Sequence, residues 1–346
     1  MADIDPQLQL LRRQCLQLFE PDFLAWPHSQ LLIRTDAQIW LSKRLFDEER
    51  NDRLPPKAYL SRVLRLLIAR IQKASQNSSE NGVASALKAH LGALTAHDLS
   101  SDYDAMKERA YVTFTCLPAS GYRDQDGAEE PIITLLEQRQ LVVGSRITGF
   151  RTWEGALHLG TYLHTNEGSD MIKGKSVLEL GAGTGFLSIL CAKHLGARRV
   201  AATDGDEGVV ASLRENIELN GLDDEQGMIA RKLWWGEELK GSWVERDCEA
   251  FPYDVVIGTD VTYDRTAILA LVITLQELFR LRPALLVIIG SVVRNAETFQ
   301  VFLDECASRA FTIIEVPFTA KSMREQKALF YAAAMPLKIL KITGPI

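Results

Sequence analysis

The sequence predicts an α/β protein in which a largely parallel, doubly wound sheet follows a smaller helical N-terminal domain. Two observations lead to this fold. From Leu141 onward, short apolar strands alternate with helical segments, as they do in a parallel sheet with crossover helices. Within that region, 177–185 reads V-L-E-L-G-A-G-T-G and joins a buried strand to a glycine-rich turn. The expected domains are 1–117 and 118–346, with a boundary near 115–125.

The first 117 residues read as helices because apolar residues recur at helical spacing. The expected helices cover 6–19, 37–46, 57–74 and 83–94. A polar stretch at 76–82 has the composition of a linker. The 57–74 helix carries a basic outward face made of Arg62, Arg65, Arg70 and Lys73. That face could dock an acidic partner or RNA or simply face solvent, and the helical domain could recognise substrate or brace the fold.

The remainder of the chain contains the strands. Extended segments at 112–116 and 132–137 flank a polar loop at 121–130, and 141–151 leads into a helix from Glu154 to about Leu163. Strands are then expected at 176–180, 199–203, 228–233, 254–258, 284–290, 311–316 and 329–334. The helices between them are expected at 186–195, 207–220, 265–281 and 296–309. Such a sheet binds its ligands at the carboxyl ends of its strands.

Composition and charge narrow the function classes. A net charge of -6 argues against broad electrostatic capture of nucleic acid, so no direct nucleic-acid binding is expected. No apolar run reaches the ~18 residues of a membrane span, and the polar N-terminus lacks the features of a secretory signal. Scattered cysteines without a C-x-x-C pair indicate neither a disulfide framework nor a zinc site. A cytoplasmic protein with no membrane contact and no metal is expected.

The spacing of the glycines indicates which ligand the turn binds. A dinucleotide fingerprint places its third glycine where Phe186 stands, whereas this turn reads G-x-G-x-G. Glu179 lies two residues before the first glycine, and Asp204 follows the next strand. Asp204 can accept hydrogen bonds from both hydroxyls of a ribose, and the turn need not bind a phosphate. The pattern resembles motif I and the acidic motif of the class I, seven-β-strand S-adenosylmethionine-dependent methyltransferases.

A second informative stretch, 251–263, reads F-P-Y-D-V-V-I-G-T-D-V-T-Y and ends in the D-x-x-Y pair of Asp260 and Tyr263. Adenine-N6 methyltransferases have D-P-P-Y or N-P-P-Y in a related place, where the prolines shape a pocket for a flipped base. Val261 and Thr262 replace both prolines here. The pair resembles instead the family 16 methyltransferases, whose members mostly modify protein lysines.

Further motifs resemble one subgroup of that family, the eukaryotic elongation factor 2 lysine methyltransferases. The resemblance covers 140–305 and, in general character only, the helical N-terminal region. The R-N-x-E-T element at 294–298 and a helical extension of this size favour the subgroup. The other matching motifs are T-G at 148–149, T-W-E at 152–154, E-L-N-G-L at 218–222 and W-G at 235–236.

The resemblance implies S-adenosylmethionine as the cofactor and assigns its contacts residue by residue. Trp235 is expected against the adenine face and Trp153 at the methionine end, although each ring could instead pack in the core. Trp234 is expected in the core, since neighbours on a strand face opposite ways. The expected cofactor contacts are Trp153, Glu179, Gly181, Ala182, Gly183, Asp204, Trp235 and Thr259.

The cofactor also determines what the protein has to do. A sulfonium methyl is already activated, so the protein must align an uncharged lysine nitrogen with it and exclude water. Tyr263 is expected to position the amine through its hydroxyl and its ring face. Asp260 is the second expected catalytic residue, although it could instead cap the helix that follows.

The sequence therefore predicts a protein-lysine N-methyltransferase that transfers methyl groups to a lysine of translation elongation factor 2. Two alternatives stay open at this point. The substrate could be another protein or a small molecule, or the chain could be an interaction protein that keeps the cofactor fold without turnover. The intact glycine turn, Asp204 and the D-x-x-Y pair argue against the loss of activity.

Overall fold

The computed structural model describes residues 4–76, 82–96, 109–118, 130–138, 148–225 and 227–345. The predicted linker at 76–82, the loop at 121–130 and the start of the 141–151 segment fall largely outside these residues. The chain divides into two compact units, one formed by Met1–Thr115 and Arg123–Val142, the other by Cys116–Tyr122 and Val143–Ile346. The boundary between 117 and 118 stays a prediction.

The first unit is built mainly from helices that share one apolar core. They are α1 (Pro6–Leu16), α2 (Ser29–Leu32), α3 (Thr35–Leu45), α4 (Lys57–Ser75) and α5 (Ser85–Ala96). The longest, α4, buries Leu60, Leu64, Leu67 and Ile71 along one face, which is the spacing that predicted it. The short helix α2 has no counterpart among the predicted helices, because four residues carry too little periodicity to be recognised.

The basic face of α4 is partly neutralised within this unit. Arg62 Nη2 lies 2.7 Å from Glu20 Oε1 and 2.9 Å from Asp22 Oδ2. The guanidinium of Arg70 lies 4.2 Å from the centre of the Trp26 ring. Two of the four basic side chains on the predicted face are therefore engaged by neighbours of the same unit.

A two-stranded antiparallel sheet completes the first unit. It pairs β1 (Arg109–Thr115) with β2 (Ile132–Gln138), and Val112 lies opposite Leu135. Just before β2, Glu130 forms ion pairs with Arg12, at 3.2 Å, and with Arg13 of α1. These contacts connect the small sheet to the first helix.

The second unit contains a seven-stranded sheet, as the sequence predicts. Its strands are β3 (Ser176–Leu180), β4 (Arg199–Asp204), β5 (Met228–Lys232), β6 (Val255–Thr259), β7 (Leu286–Val292), β8 (Thr312–Glu315) and β9 (Leu337–Thr343). The spatial order is β5-β4-β3-β6-β7-β9-β8. The first five strands in this order are parallel, whereas β9 runs antiparallel to both of its neighbours. The predicted fold class, a mostly parallel Rossmann-like sheet of seven strands, is confirmed.

Helices connect these strands, and two of them, at 166–170 and 243–250, have no counterpart among the predicted helices. The helices are α6 (Glu154–Leu163), α7 (Asn166–Asp170), α8 (Phe186–Lys193), α9 (Glu207–Leu219), α10 (Trp243–Ala250), α11 (Arg265–Leu281) and α12 (Ala296–Ser308). Side-chain caps define several of their starts: Asp206 begins α9, Asp264 begins α11 and Asn295 begins α12, each accepting from a backbone N–H three residues on. Along the chain, β4 and β5 are added on one side of β3 and β6 is then added on the other side. The ligand site of such a sheet lies at this switch in strand order, between β3 and β6.

One predicted strand, at 329–334, is wrong. Leu329, Phe330 and Tyr331 are buried, but they lie in an irregular segment, and the strand forms eight residues later as β9. The side chain of Gln326 donates to the carbonyl of Tyr331 and accepts from its N–H, both at 2.9 Å. Because a side chain satisfies this backbone, the apolar run is buried without joining the sheet ladder.

Candidate active site

A cavity of about 750 Å³ opens at the carboxyl ends of β3, β4 and β6. All of the residues predicted from the sequence as site residues contribute to its lining. They are Trp153, Glu179, Gly181, Ala182, Gly183, Asp204, Trp235, Thr259, Asp260 and Tyr263. The fold thus brings together side chains from segments more than 100 residues apart, and their individual roles stay predictions.

Glycine gives the turn between β3 and α8 its shape. Gly181, Gly183 and Gly185 have φ angles of 70°, 53° and 86°, in the left-handed region that glycine adopts most readily. A Cβ on Gly181 would stand 3.0 Å from Val261 Cγ1, and one on Gly183 would stand 3.1 Å from the carbonyl oxygen of Gly149. The floor of the cavity is therefore bare backbone in which a side chain would be strained and crowded.

Asp204 ties this turn to the end of β4. Its Oδ2 accepts from Gly183 N at 3.2 Å and its Oδ1 accepts from Asp206 N at 3.1 Å, while Ala182 N donates to Thr203 O at 2.7 Å. Burial raises the pKa of the Asp204 carboxyl. Each carboxylate oxygen retains a second lone pair, so Asp204 can still accept from a ligand hydroxyl.

Glu179 is buried in β3 and points to the start of α8. One of its oxygens accepts from the backbone N of Ser188 at 3.0 Å and from the Ser188 hydroxyl. Burial raises the pKa of Glu179 to about 8. Its clearest structural role is to hold the first turn of α8, and its contact with a cofactor stays a prediction.

Trp153 forms one end of the cavity, immediately before α6. Its indole Nε1 donates to Thr148 O at 3.0 Å. The guanidinium carbons of Arg151 and Arg294 lie 5.3 and 5.1 Å from the ring centre. The ring is thus held by one hydrogen bond and bordered by two cations.

Trp234 and Trp235 follow β5, and the exposure of Trp234 differs from the prediction. Trp235 packs partly buried beside Gly181. Trp234, expected in the core, is 57% exposed and lies against the backbone of Gly205 while lining the cavity. The prediction was wrong because β5 ends at Lys232, so the alternation of strand side chains no longer applies two residues later.

Asp260 follows β6 with a φ of 52°, unusual for a residue other than glycine. Its Oδ2 accepts from Gly155 N at 3.2 Å and its Oδ1 from Val292 N at 3.0 Å. The helix that follows is capped by Asp264 instead. Asp260 therefore caps α6 and fastens it to the end of β7, and the alternative that it caps the next helix is wrong.

Thr259 and Tyr263 border the cavity on either side of Asp260. Thr259 ends β6, and a Cβ on Gly290 would stand 2.9 Å from its methyl carbon. Tyr263 is 60% exposed, and no residue that the structure describes makes a hydrogen bond with its hydroxyl. A large ring with a free hydroxyl at a cavity mouth is accessible to a substrate side chain.

The residues present fit S-adenosylmethionine. The indole Nε1 of Trp235 is buried and has no hydrogen-bond partner within the described part of the chain, so it offers an unused donor beside the glycine floor. Asp204 offers acceptors for ribose hydroxyls, and the rings of Trp234 and Trp235 offer apolar surface. No group of side chains that could hold a metal ion occurs among the described residues.

Comparison with known proteins identifies the family. The lysine methyltransferase family Methyltransf_16 matches residues 130–308. The protein-lysine N-methyltransferase EFM3 of Chaetomium thermophilum is 40% identical over 342 residues, which are 99% of either chain. The chain belongs to the lysine methyltransferase family. The resemblance predicted from the motifs is confirmed, and so are the enzyme class and its methyl donor, S-adenosylmethionine.

Two further relatives match a smaller share of this lysine methyltransferase. The protein-lysine N-methyltransferase EFM3 of Saccharomyces cerevisiae is 33% identical over 62% of this chain and 66% of its own. The protein-lysine N-methyltransferase EEF2KMT of Homo sapiens is 29% identical over 60% of this chain and 63% of its own. No helix in the part of the chain that the structure describes is long and apolar enough to cross a membrane.

The cavity residues of this methyltransferase that are absent from the predicted site include Trp234, Arg151 and Arg294. Arg294 belongs to the R-N-x-E-T element, which marks the subgroup without indicating where its side chain points. Arg151 lies two residues before Trp153, and that proximity is the only sequence signal for it. Both arginines become recognisable only when α6 and the end of β7 meet at Trp153.

Proposed function

We propose that this lysine methyltransferase transfers methyl groups to a lysine of translation elongation factor 2. The relatives named EFM3 and EEF2KMT support this substrate, together with the R-N-x-E-T element and the helical N-terminal extension. The partner is then a protein in the cytoplasm, and the cytoplasmic location and the absence of direct nucleic-acid binding are parts of the same proposal.

One feature of the cavity supports a lysine side chain as the methyl acceptor. A single cavity joins the glycine turn and Asp204 to the exposed ring of Tyr263. In this arrangement the ribose would bind Asp204, the adenine would lie beside Trp235, and the methionine end would approach Trp153 and Thr259. A long, thin side chain such as lysine can then enter at Tyr263 while the rest of its protein stays outside.

The chemistry requires a neutral amine. When bound, S-adenosylmethionine would supply an electrophilic methyl group to the amine, and its sulfur would keep the electron pair of the broken sulfur–carbon bond. A lysine has an ordinary pKa of ~10.4, and desolvation at the cavity mouth lowers it. The Tyr263 hydroxyl would accept a hydrogen bond from the amine N–H and so aim the nitrogen lone pair inward.

Asp260 contributes to this step by positioning rather than by taking the proton. Both of its oxygens accept from backbone N–H groups that anchor α6 and β7. The proton leaves the lysine for solvent at the open mouth, where Tyr263 is exposed. Asp260 thus holds Trp153 and Tyr263 in register across the cavity.

The proposal is tested by incubating the pure protein with labelled S-adenosylmethionine and with purified elongation factor 2, followed by mass spectrometry of the lysine-containing peptides. We expect a mass increase of one or more methyl groups on one lysine. A parallel incubation with cell lysate separates the alternatives. Label on another protein or on a small molecule would identify that molecule, instead of elongation factor 2, as the substrate. Cofactor binding without transfer of label to any molecule would indicate a non-catalytic binding protein.

A further inference from the structure

The R-N-x-E-T stretch at 294–298 is only partly explained by the site described above. Asn295 caps α12, since its Oδ1 accepts from Thr298 N at 2.9 Å. Arg294 instead lines the cavity, with its guanidinium carbon 5.1 Å from the centre of the Trp153 ring. A charged side chain directed to the cavity rim needs a reason beyond capping a helix.

A second arginine lies at the same indole. Arg151 also lines the cavity, and its guanidinium carbon is 5.3 Å from the Trp153 ring centre. The ring itself is anchored by the hydrogen bond from its Nε1 to Thr148 O at 3.0 Å. Two guanidinium groups therefore lie at the rim beside one fixed aromatic ring, and this contact uses none of their N–H donors in a hydrogen bond.

The carboxylates near Arg294 and Arg151 accept few hydrogen bonds from their guanidinium groups. Arg294 Nη2 lies 3.5 Å from Glu154 Oε2, at the outer limit of a hydrogen bond. No carboxylate among the described residues lies within ion-pair distance of Arg151. The oxygens of Asp260, the next carboxylate along the rim, both accept from backbone N–H groups. The rim thus presents guanidinium donors in excess of their acceptors.

We propose that Arg294 and Arg151 form a carboxylate-binding site at the rim of the cavity. The inference rests on the proposed function. The carboxylate is either that of the methionine part of S-adenosylmethionine or that of an acidic side chain next to the target lysine. Both present the same planar pair of oxygens, which a guanidinium binds through two parallel hydrogen bonds.

The first experiment compares two ligands by calorimetric titration against wild type, Arg294→Gln and Arg151→Gln. S-adenosylhomocysteine carries the carboxylate, whereas 5′-methylthioadenosine keeps the adenosine and the sulfur but lacks the amino-acid end. If the methionine carboxylate is the ligand, each substitution weakens S-adenosylhomocysteine at least about tenfold and leaves 5′-methylthioadenosine within about twofold of wild type.

The second experiment measures methylation kinetics with purified elongation factor 2. If the carboxylate belongs to the substrate, S-adenosylhomocysteine affinity is unchanged, while KM for the protein rises at least about fivefold at constant kcat. A wild type that binds S-adenosylhomocysteine without methylating this factor refutes the proposed substrate and leaves the ligand comparison valid.

The matched control is Arg265→Gln. Arg265, the first residue of α11, makes a similar exposed ion pair, with its Nη2 3.6 Å from Glu297 Oε2 of α12, and its loss should change neither ligand affinity nor KM. Two results overturn the proposal. One is equal weakening of both ligands in the Arg294 and Arg151 variants, which indicates support of the Trp153 ring. The other is unchanged ligand affinity together with unchanged KM.

Discussion

Two carboxylates at the same edge of the sheet have similar surroundings and different partners. Asp204, at the end of β4, accepts from backbone N–H groups of the glycine turn and of its own loop at 3.2 and 3.1 Å. Asp260, after β6, accepts from N–H groups of α6 and β7 at 3.2 and 3.0 Å. Burial raises the pKa of both carboxyl groups.

The difference lies in what these hydrogen bonds connect. Those of Asp204 close one local turn beside the predicted ribose site. Those of Asp260 fasten two elements to β6, one 105 and the other 32 residues away in sequence, and hold a residue with positive φ. We therefore expect loss of the first carboxylate to change affinity, and loss of the second to change stability as well.

The largest effect is expected for Asp204→Ala on cofactor affinity. The substitution removes two hydrogen bonds to a charged acceptor, each worth ~1.5 to 3 kcal/mol, so Kd for S-adenosylhomocysteine should rise about 100-fold or more. Calorimetric titration measures the affinity. Affinity within about twofold of wild type would contradict the ribose assignment. The free energy of unfolding should fall by less than about 2 kcal/mol, because the turn N–H groups can reach water.

The next effect is expected for Asp260→Ala on stability. Two backbone N–H groups lose their acceptor, at ~1 to 3 kcal/mol each, so the free energy of unfolding should fall by about 2 to 6 kcal/mol in urea titration. Asp260→Asn keeps one acceptor oxygen and tolerates positive φ, and should lose less. If Asp260→Ala lowers kcat but leaves the unfolding transition unchanged, the carboxylate acts in catalysis and the contrast with Asp204 fails.

Glu179, a third buried carboxylate at this edge, extends the comparison to pH. Burial raises the pKa of Glu179 from 4.5 to about 8, so between these values the folded state binds more protons than the unfolded state. The free energy of unfolding should therefore fall as pH rises from about 4.5 to 8, with a slope of at most about 1.4 kcal/mol per pH unit. Glu179→Gln should remove this slope.

The control for that experiment is an exposed carboxylate with the opposite shift. The hydrogen bond from Lys341 lowers the pKa of Glu167, so its contribution to stability is present above its ordinary pKa and lost as pH falls. In denaturant titrations Glu167→Gln should therefore be less stable than wild type above the ordinary carboxyl pKa, and the two proteins should converge on the acid side. An unchanged pH profile of Glu179→Gln between 4.5 and 8 would mean that Glu179 is ionised in the folded protein.

The smallest effect is expected for Tyr263→Phe, because this hydroxyl supports neither the fold nor the cofactor. Its exposure predicts no measurable change in unfolding, and S-adenosylhomocysteine affinity should stay constant. If the hydroxyl orients the lysine amine, kcat at saturating cofactor and substrate should fall about tenfold, or ~1.4 kcal/mol of barrier. A wild-type kcat would leave only the ring of Tyr263 as a functional group.

The predictions made from the sequence succeed where the controlling residues are neighbours in the chain. The strand and glycine turn at 177–185 are of this kind, since apolar residues and glycines report directly on burial and on φ. Asp204 and Tyr263 also lie in the cavity as expected, because the carboxyl ends of parallel strands share one edge. Local pattern plus one rule of topology was enough for these residues.

The predictions that fail depend on contacts between distant segments. Trp234 is an apolar residue that was expected in the core, yet it is exposed beside Gly205. The apolar run at 329–334 is buried at Leu329, Phe330 and Tyr331 but forms no strand. Asp260 precedes α11 but does not cap it, because its two carboxylate oxygens accept hydrogen bonds from Gly155 N and Val292 N instead. A sequence pattern shows how apolar a residue is, but it does not determine which other part of the fold that residue packs against.

The sequence by itself determined the alternation of strands and helices from β3 to β5, the glycine floor and the carboxylate beside it, because each follows from the conformational preferences of residues close together in the chain. Only the tertiary structure decided that Asp260 fastens α6 to β7 and that Arg151 and Arg294 share one indole. The contact of Asp260 with Gly155 spans 105 positions and that with Val292 spans 32, and the packing of whole elements selects such contacts from many pairings that local preferences allow equally well.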